Sequence, residues 1–240
     1  MRIALMAIRM GLQIPYIMFR IWRYGLVEDK FAHHAEAYAF IKKVTIKANR
    51  AGRVRIKAYG SENLPEEDGF IMFCNHQGLF DSLVFFESCP KPFSFIAKKE
   101  VKNTILLKQV IVAFGAYIMD REDVRQSLGV INAIAADVKR GRNFLIFPEG
   151  TRAPLPNTML DFKGGSFKSA TKSRCPIVPC ALVDSYKPFD ENSIKPVTVK
   201  LKYLPPLYYE EYKDMKTVEI AALVKARIEA AIEELIGMEG

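Results

Sequence analysis

Short apolar runs, separated by segments of helical period, make up most of the chain beyond residue 52. Val54, Ile56 and Ala58 alternate with basic residues, as in a strand with one exposed face. Later runs are apolar almost throughout, which is typical of strands covered on both faces: 70–74, 93–97, 116–119, 144–147 and 177–183. Helical spacing recurs over 128–138 and 220–235, and a late alternating strand is predicted over 197–204, towards the sheet edge. The pattern predicts an α/β domain with a largely parallel central sheet flanked by helices.

The first fifty residues follow a different pattern. Residues 1–24 are mostly large and apolar, with four arginines and a proline spaced among them: Arg2, Arg9, Pro15, Arg20 and Arg23. The longest stretch without a charge, 10–19, is shorter than the about 20 apolar residues that a membrane-spanning helix needs. A second helix is predicted over 30–50. We therefore expect residues 1–50 to form a basic two-helix motif that lies in a membrane interface, and residues 51–240 to form the α/β domain.

Charge supports a membrane role for the same region. The formal net charge is +8, yet residues 1–57 hold twelve of the 35 Lys and Arg residues and only three of the 27 acids. The rest of the chain is close to neutral, so the N-terminal quarter is expected to meet an anionic partner. An anionic membrane surface is favoured over nucleic acid, because no recognised nucleic-acid-binding motif accompanies the bases. The alternative is a helical hairpin that packs on the main domain with its bases solvated.

Cysteine and histidine usage excludes a disulfide framework and gives little support for a metal. The four cysteines form no C-x-x-C pair, and there are three histidines in the whole chain. We expect a reducing cytosolic environment and no metal site.

The first candidate catalytic segment follows the run 70–74. His76 and Asp81 are five residues apart, so their side chains meet only if the chain turns between them, and Gly78 permits that turn. A carboxylate that holds one imidazole nitrogen leaves the other nitrogen free to act as a general base. The alternative makes Asp81 a plain helix N-cap and His76 a surface loop residue.

The second candidate segment follows the run 144–147. Gly150 allows the backbone to approach a ligand, Thr151 supplies a hydroxyl group, and Arg152 supplies a guanidinium suited to phosphate. The alternative is an ordinary strand-end turn in which Glu149 satisfies a solvated Arg152. If both strands are parallel, the two segments share the carboxyl edge of the sheet, where α/β proteins place their ligands.

Taken together, Asn75-His76-x4-Asp81 and the segment 147–152 resemble the glycerolphosphate acyltransferase superfamily, and within it the 1-acyl-sn-glycerol-3-phosphate acyltransferase family. The resemblance continues through 97–100, 115–121, 162–167 and 176–179, and it covers roughly residues 52 to 205. Ala153 and Cys180 depart from the family pattern outside the catalytic pair.

The resemblance implies a reaction. His76, oriented by Asp81, would take the proton of the sn-2 hydroxyl group of 1-acyl-glycerol 3-phosphate, which would attack a fatty acyl thioester and form phosphatidic acid. The donor would be acyl-acyl carrier protein or acyl-coenzyme A, and no cofactor or metal would be needed. The residues implied to bind substrate are Asn75, Lys98, Arg121, Glu149, Gly150, Thr151, Arg152 and Lys163. Such an enzyme would be peripheral or monotopic on the cytoplasmic face of the cell membrane.

Other functions remain open at this point. Glycerol 3-phosphate or another lysophospholipid could be the acceptor. A peripheral lipid-binding protein without turnover is the alternative from a different class, although simple binding needs no base at His76.

Overall fold

The computed structural model describes residues 1–26, 34–99, 107–120 and 122–238. Its strands, in chain order, are β1 (Val54–Tyr59), β2 (Ile71–Cys74), β3 (Phe93–Lys98), β4 (Tyr117–Met119), β5 (Asn143–Ile146), β6 (Ile177–Val183) and β7 (Val197–Tyr203). Each coincides with a strand predicted from the sequence to within a few residues.

The strands form a single sheet in the order β1-β7-β6-β2-β5-β3-β4. The five strands from β6 to β4 are parallel to one another, while β7 pairs with β6 in the antiparallel direction and β1 pairs with β7 in parallel. The carboxyl ends of the five central strands therefore share an edge with the amino ends of β1 and β7. The predicted α/β fold with a largely parallel sheet is confirmed, and β7 lies one strand inside the edge.

The helices flank this sheet on both sides. They are α1 (Arg2–Met10), α2 (Ile14–Tyr24), α3 (His34–Ala51), α4 (Asp81–Ser88), α5 (Leu107–Ala113), α6 (Val124–Lys139), α7 (Lys168–Ser173), α8 (Lys187–Asp190), α9 (Tyr209–Tyr212) and α10 (Thr217–Gly237). Short 3-10 helices cover Gly11–Gln13, Ser61–Asn63 and Gly164–Phe167.

The two faces of the sheet bury separate apolar clusters, because successive strand residues point to opposite sides. In β2, Met72 and Cys74 pack in a cluster with α3 and α4, whereas Ile71 and Phe73 pack in a cluster with α6, α7 and α10. All four side chains are fully buried. This double coverage explains why the central strands are apolar without alternation.

The N-terminal helices pack directly on the first of these faces. In α3, Ala37, Tyr38 and Ile41 are buried in the cluster that also holds Phe93 and Phe114 of the α/β part. The Tyr38 hydroxyl group donates a hydrogen bond of 3.0 Å to the carbonyl of Cys89. Residues 34–51 thus contribute to the core, and the division of the chain at residue 50 stays a prediction.

The stretch Arg2–Tyr24 is broken by the 3-10 turn before Pro15, with one flank packed on the molecule. Met6, Met10, Ile21 and Tyr24 are buried, while most of the opposite flank is exposed. Among the residues that the structure describes, this is the one helical stretch whose length and composition would suffice to cross a membrane, and 17% of its most apolar window is buried.

Arg2 does not lie where the sequence suggested. We expected it to be one of the bases that face an anionic surface, but it is only 2% exposed. Its guanidinium donates hydrogen bonds to the carbonyls of Pro188 at 3.1 Å, Gly52 at 2.5 Å and Lys195 at 2.8 Å. Three main-chain acceptors satisfy the buried charge, so Arg2 fixes the start of α1 to the α/β part and is not available to headgroups.

Candidate active site

The candidate catalytic segments meet at the carboxyl edge of the parallel strands. His76 follows β2, the segment from Phe147 to Arg152 follows β5, and β5 is a direct neighbour of β2. On the other side of β2, strand β6 ends just before Asp184 and Ser185. Parallel pairing therefore brings three loops, distant in sequence, to one place.

His76 and Asp81 form the predicted pair. The distance between His76 Nδ1 and Asp81 Oδ2 is 2.7 Å. The chain turns at Gly78, where an added Cβ would lie 3.0 Å from both the Asp190 carboxylate and the Tyr186 Cα, so a side chain there would be crowded unless these neighbours moved. The hydrogen bond places a proton on Nδ1 and leaves Nε2 as the nitrogen that can accept one.

Asp81 accepts hydrogen bonds from the loop before α4 and is not a plain helix cap. Its side chain is fully buried, and it accepts main-chain hydrogen bonds from Gln77 at 2.7 Å and from Gly78 at 3.0 Å. The residue at the N-cap of α4 is Phe80, which makes no side-chain cap. These donors hold the carboxylate against His76.

The imidazole ring of His76 is packed on Phe147. The ring centroids are 4.4 Å apart with an angle of 23° between the planes, and 22% of the His76 side chain is exposed. Together with Asp81, the stacked ring of Phe147 fixes the orientation of His76, while part of the His76 side chain stays accessible to a ligand.

Glu149 links the loop after β5 to the loop after β2. Its Oε1 accepts the main-chain N–H of His76 and its Oε2 accepts that of Leu160, both at 2.7 Å. Burial raises the pKa of Glu149, and the two main-chain donors partly oppose that shift. We expected Glu149 to bind substrate, but it is 2% exposed with both oxygens engaged, so the structure gives it a positioning part instead.

Asn75 is also engaged inside the protein. Its side-chain Nδ2 donates to the carbonyl of Leu182 at 3.0 Å, and its Oδ1 accepts the N–H of Leu182 at 2.8 Å. The side chain is fully buried. Asn75 therefore ties the end of β2 to β6. We expected it to contact substrate, but its side chain does not face the open part of the site.

Gly150, Thr151, Arg152 and Lys163 form the open part of the site. Gly150 has φ +78°, a backbone conformation that favours glycine, and Lys163 Nζ would be 3.0 Å from a Cβ added there. Thr151, Arg152 and Lys163 are exposed. Arg152 Nη1 lies 3.9 Å from Asp190 Oδ1, a loose contact that leaves most of its donors available for an anion.

One of the two remaining predicted binding residues is further along the edge. Lys98 is exposed at the end of β3, which is separated from β2 by β5. Arg121 lies outside the described residues.

Two contributors to the site were not predicted from the sequence. Gln77 and Ser185 are buried beside Asp81, and the Ser185 hydroxyl group donates a hydrogen bond of 2.6 Å to Asp81 Oδ1. The signal that could have found Ser185 is its place directly after the apolar run 177–183, at the edge that holds His76.

Thiol and metal chemistry have little support in the described residues. Cys74, Cys89, Cys175 and Cys180 are free and buried, and burial raises the pKa of Cys175 to about 12. A thiol with so high a pKa is not a nucleophile near neutral pH. In the part of the chain that the structure describes, no group of three or more His, Cys, Asp or Glu side chains could hold a metal.

Comparison with known proteins places this geometry in a family. The family model described as Acyltransferase matches residues 55–183, which are more than half of the chain and include both candidate catalytic segments. The chain belongs to the Acyltransferase family. The resemblance drawn from the His76 and Arg152 motifs is thereby confirmed.

Individual acyltransferases are similar over different lengths. A 1-acyl-sn-glycerol-3-phosphate acyltransferase from Cocos nucifera is 29% identical over 197 residues, covering 79% of this chain and 64% of that protein. One from Saccharomyces cerevisiae is 34% identical over 126 residues, covering 52% of this chain and 41% of that protein. The chain thus spans less than two thirds of these relatives.

A similar fold is known from a crystal structure. The 1-acyl-sn-glycerophosphate acyltransferase PlsC from Thermotoga maritima superposes with a TM-score of 0.80 over 100% of both chains, at 24% identity. This likeness confirms the fold of the chain.

Proposed function

We propose that this protein transfers a fatty acyl group from an acyl thioester to the sn-2 hydroxyl group of 1-acyl-glycerol 3-phosphate, forming phosphatidic acid. The observation that carries the proposal is the 2.7 Å contact between His76 Nδ1 and the buried Asp81 carboxylate, which leaves Nε2 as a base. A protein that only bound lipid would have no need of a buried carboxylate to orient an accessible imidazole. The name shared by the relatives supports the choice of acceptor.

The reaction follows from that arrangement. His76 Nε2 removes the proton of the acceptor hydroxyl group as its oxygen attacks the thioester carbonyl carbon. The tetrahedral intermediate collapses, the carbon–sulfur bond breaks, and the thiolate takes the proton back from the imidazolium. Asp81 stabilises the transient positive charge on His76. The tetrahedral oxyanion needs hydrogen-bond donors, but the thioester is already activated, so the steps require no cofactor or metal.

The exposed cations beside the catalytic pair are suited to the acceptor's phosphate. Arg152 offers a planar fork of donors, and Lys163 adds a second positive charge next to the backbone of Gly150. Thr151 supplies a hydroxyl group at the same exposed turn. A neutral monoacylglycerol would gain nothing from these charges, so they favour the phosphorylated acceptor.

We also propose that α1 and α2 dock the protein on a membrane surface without crossing it. Large apolar side chains are exposed along this stretch: Ile3, Ile8, Leu12, Tyr16, Met18, Phe19 and Trp22. The opposite flank is packed on the protein, which suits a helix that lies in an interface. The cytoplasmic face is the expected side, because the acyl thioester donors proposed are cytosolic.

The anchorage of α1 supports docking with the active site turned towards the lipid. Arg2 binds the carbonyls of Gly52 and Lys195, which precede β1 and β7. These two strands run against the central ones, so their starts lie at the edge that carries His76. A lipid acceptor would then reach the site with its chain still in the leaflet.

The decisive experiment is an acyl-transfer assay of the purified protein with one labelled acyl thioester and a series of acceptors. We expect 1-acyl-glycerol 3-phosphate to be acylated faster than glycerol 3-phosphate, monoacylglycerol or other lysophospholipids. Parallel reactions with acyl-coenzyme A and acyl-acyl carrier protein identify the donor. Transfer to none of these acceptors from either donor would overturn the proposal.

The matched variant for that assay is His76→Ala. Removing a general base costs about 10²–10⁴ in rate, so this variant should be close to inactive while its circular dichroism stays that of the folded wild type. Asp81→Asn should be impaired similarly, because the imidazole loses its orienting charge. Near-normal turnover by folded His76→Ala would refute the mechanism.

A further inference from the structure

A buried serine completes the set of donors around the catalytic carboxylate. Ser185 lies two residues after β6 and is fully buried. Its Oγ is 2.6 Å from Asp81 Oδ1. Asp81 Oδ2, the other oxygen, faces His76 Nδ1 and the N–H of Gln77. The N–H of Gly78 lies 3.0 Å from Oδ1 and 3.1 Å from Oδ2, so Ser185 is the side-chain donor to Oδ1 and the main chain contacts both oxygens.

The hydrogen-bond network fixes which acceptor receives the Ser185 proton. The Gln77 side chain donates through Nε2 to Asn157 Oδ1 at 3.0 Å and to the carbonyl of Leu182 at 3.1 Å, so its Oε1 must be the acceptor facing Ser185. That oxygen accepts the main-chain N–H of Ser185 at 3.2 Å. The single hydroxyl proton goes to the nearer, charged acceptor, which is Asp81.

We propose that Ser185 is a positioning residue for catalysis, which holds the Asp81 carboxylate in the orientation that presents Oδ2 to His76. This inference rests on the proposed function for its kinetic consequences. Without the hydroxyl group, Oδ1 keeps only the N–H of Gly78 at 3.0 Å as a donor, so fewer contacts oppose rotation of the carboxylate about its Cβ–Cγ bond. His76 would then lose its fixed ring orientation, although nothing that touches substrate has changed.

The kinetic test is a double-mutant cycle. Ser185→Ala should lower kcat by about tenfold to a hundredfold, the loss expected for one charge-assisted hydrogen bond, and should leave KM for both substrates nearly unchanged. Ser185→Thr, which keeps the hydroxyl group, should recover most of the turnover. In an Asp81→Asn background, Ser185→Ala should change the residual rate by less than about twofold, because Ser185 acts through the charge already removed.

A buried serine outside the site provides the matched control. Ser169 in α7 is 1% exposed, and its hydroxyl group donates to the carbonyl of Ser166 at 3.3 Å. Ser169→Ala should leave kcat unchanged, with melting temperatures recorded for every variant. Equal losses in the wild-type and Asp81→Asn backgrounds, or full activity of Ser185→Ala, would overturn the proposal.

A measurement without turnover separates this inference from the proposed function. In ¹H NMR of the ¹⁵N-histidine-labelled full chain, the Nδ1-bound proton of His76 is assigned by its loss in His76→Ala. We expect Ser185→Ala to shift this resonance and Ser169→Ala to leave it in place. A shift in a protein that transfers no acyl group would refute the proposed reaction and keep the positioning part. An unchanged resonance in an active enzyme would refute the positioning part alone.

Discussion

At the residue scale, a single substitution can test whether the protein recognises the phosphate of the acceptor. Arg152→Ala removes the planar donor set at the exposed turn, while Asp190, its loose partner at 3.9 Å, stays. We expect the preference for 1-acyl-glycerol 3-phosphate over monoacylglycerol to shrink by about 1–3 kcal/mol in kcat/KM, with a smaller effect on the acyl donor. Competition assays with both acceptors measure it.

A surface arginine remote from the site is the control for that comparison. The Arg140 side chain is 71% exposed, and the residue follows α6 at the opposite edge of the sheet. Arg140→Ala should keep the wild-type preference. An unchanged preference in Arg152→Ala would show that this arginine serves another purpose.

A substitution at Glu149 can distinguish a positioning role from a substrate-binding role. Glu149→Gln keeps the shape of the side chain but replaces one of two acceptors by an NH₂ group, which would face either the N–H of His76 or that of Leu160. We expect a loss of about 1–3 kcal/mol in the free energy of unfolding, measured by urea denaturation, together with reduced kcat. If Glu149 only bound substrate, the substitution would instead raise KM and leave stability unchanged. That result would contradict the structural assignment.

At the scale of elements, the start of α3 carries a pH-dependent contact with the core. Burial, with a contribution from the nearby charge of Arg142, lowers the pKa of His34 to about 4, and the imidazole meets Phe114 edge-on at 6.1 Å. The unfolded chain binds a proton at this residue near pH 6.5, while the folded chain does so only near pH 4. Stability is therefore fully present above pH 6.5 and is lost as the pH falls towards 4.

We expect this single group to account for up to about 3 kcal/mol of the stability lost over that range. The measurement is urea denaturation of the full chain between pH 4 and pH 7, with His34→Gln, which cannot titrate, as the comparison. The difference in unfolding free energy between the two proteins should change with pH in favour of the variant as the pH falls. A difference independent of pH would mean that His34 is not buried in the folded protein.

At the scale of the whole molecule, the exposed flank of α1 and α2 should direct binding to membranes. Binding should be tighter to anionic than to zwitterionic vesicles and should weaken as salt rises, because each base near the surface adds about 1 kcal/mol of attraction that ions screen. Trp22 is the single tryptophan of the chain and is half-exposed on this flank. Its fluorescence should therefore shift to the blue on vesicle binding.

Two matched charge insertions test where the contact lies. Leu12 is fully exposed between α1 and α2, and Val218 is exposed at the start of α10. Leu12→Glu should weaken vesicle binding, whereas Val218→Glu should leave it unchanged. Protease cleavage from both faces of a sealed vesicle would refute docking on one surface. Equal effects of the two substitutions would refute the assigned flank.

The sequence by itself determined the elements, the fold class and the contact between His76 and Asp81. Central strands such as β2 are covered on both faces, so their apolar runs are unbroken, and α6 and α10 show the spacing of a buried helix face. These are local signals, which can be recognised in a short stretch of sequence without knowledge of distant residues. The pair of His76 and Asp81 was predictable because its geometry depends on a single five-residue turn at Gly78.

Only the tertiary structure decided which polar groups face a ligand and which face the protein. Asn75 and Glu149 stand beside catalytic residues in the sequence, yet both are turned inward onto the main chain of Leu182, His76 and Leu160. Arg2 reads as a surface base and is buried on three carbonyls. Ser185, more than one hundred residues from Asp81, meets it only because β6 pairs with β2. These hydrogen bonds join loops that follow different strands, so the partners depend on the order of the strands in the sheet. No local sequence pattern encodes that order.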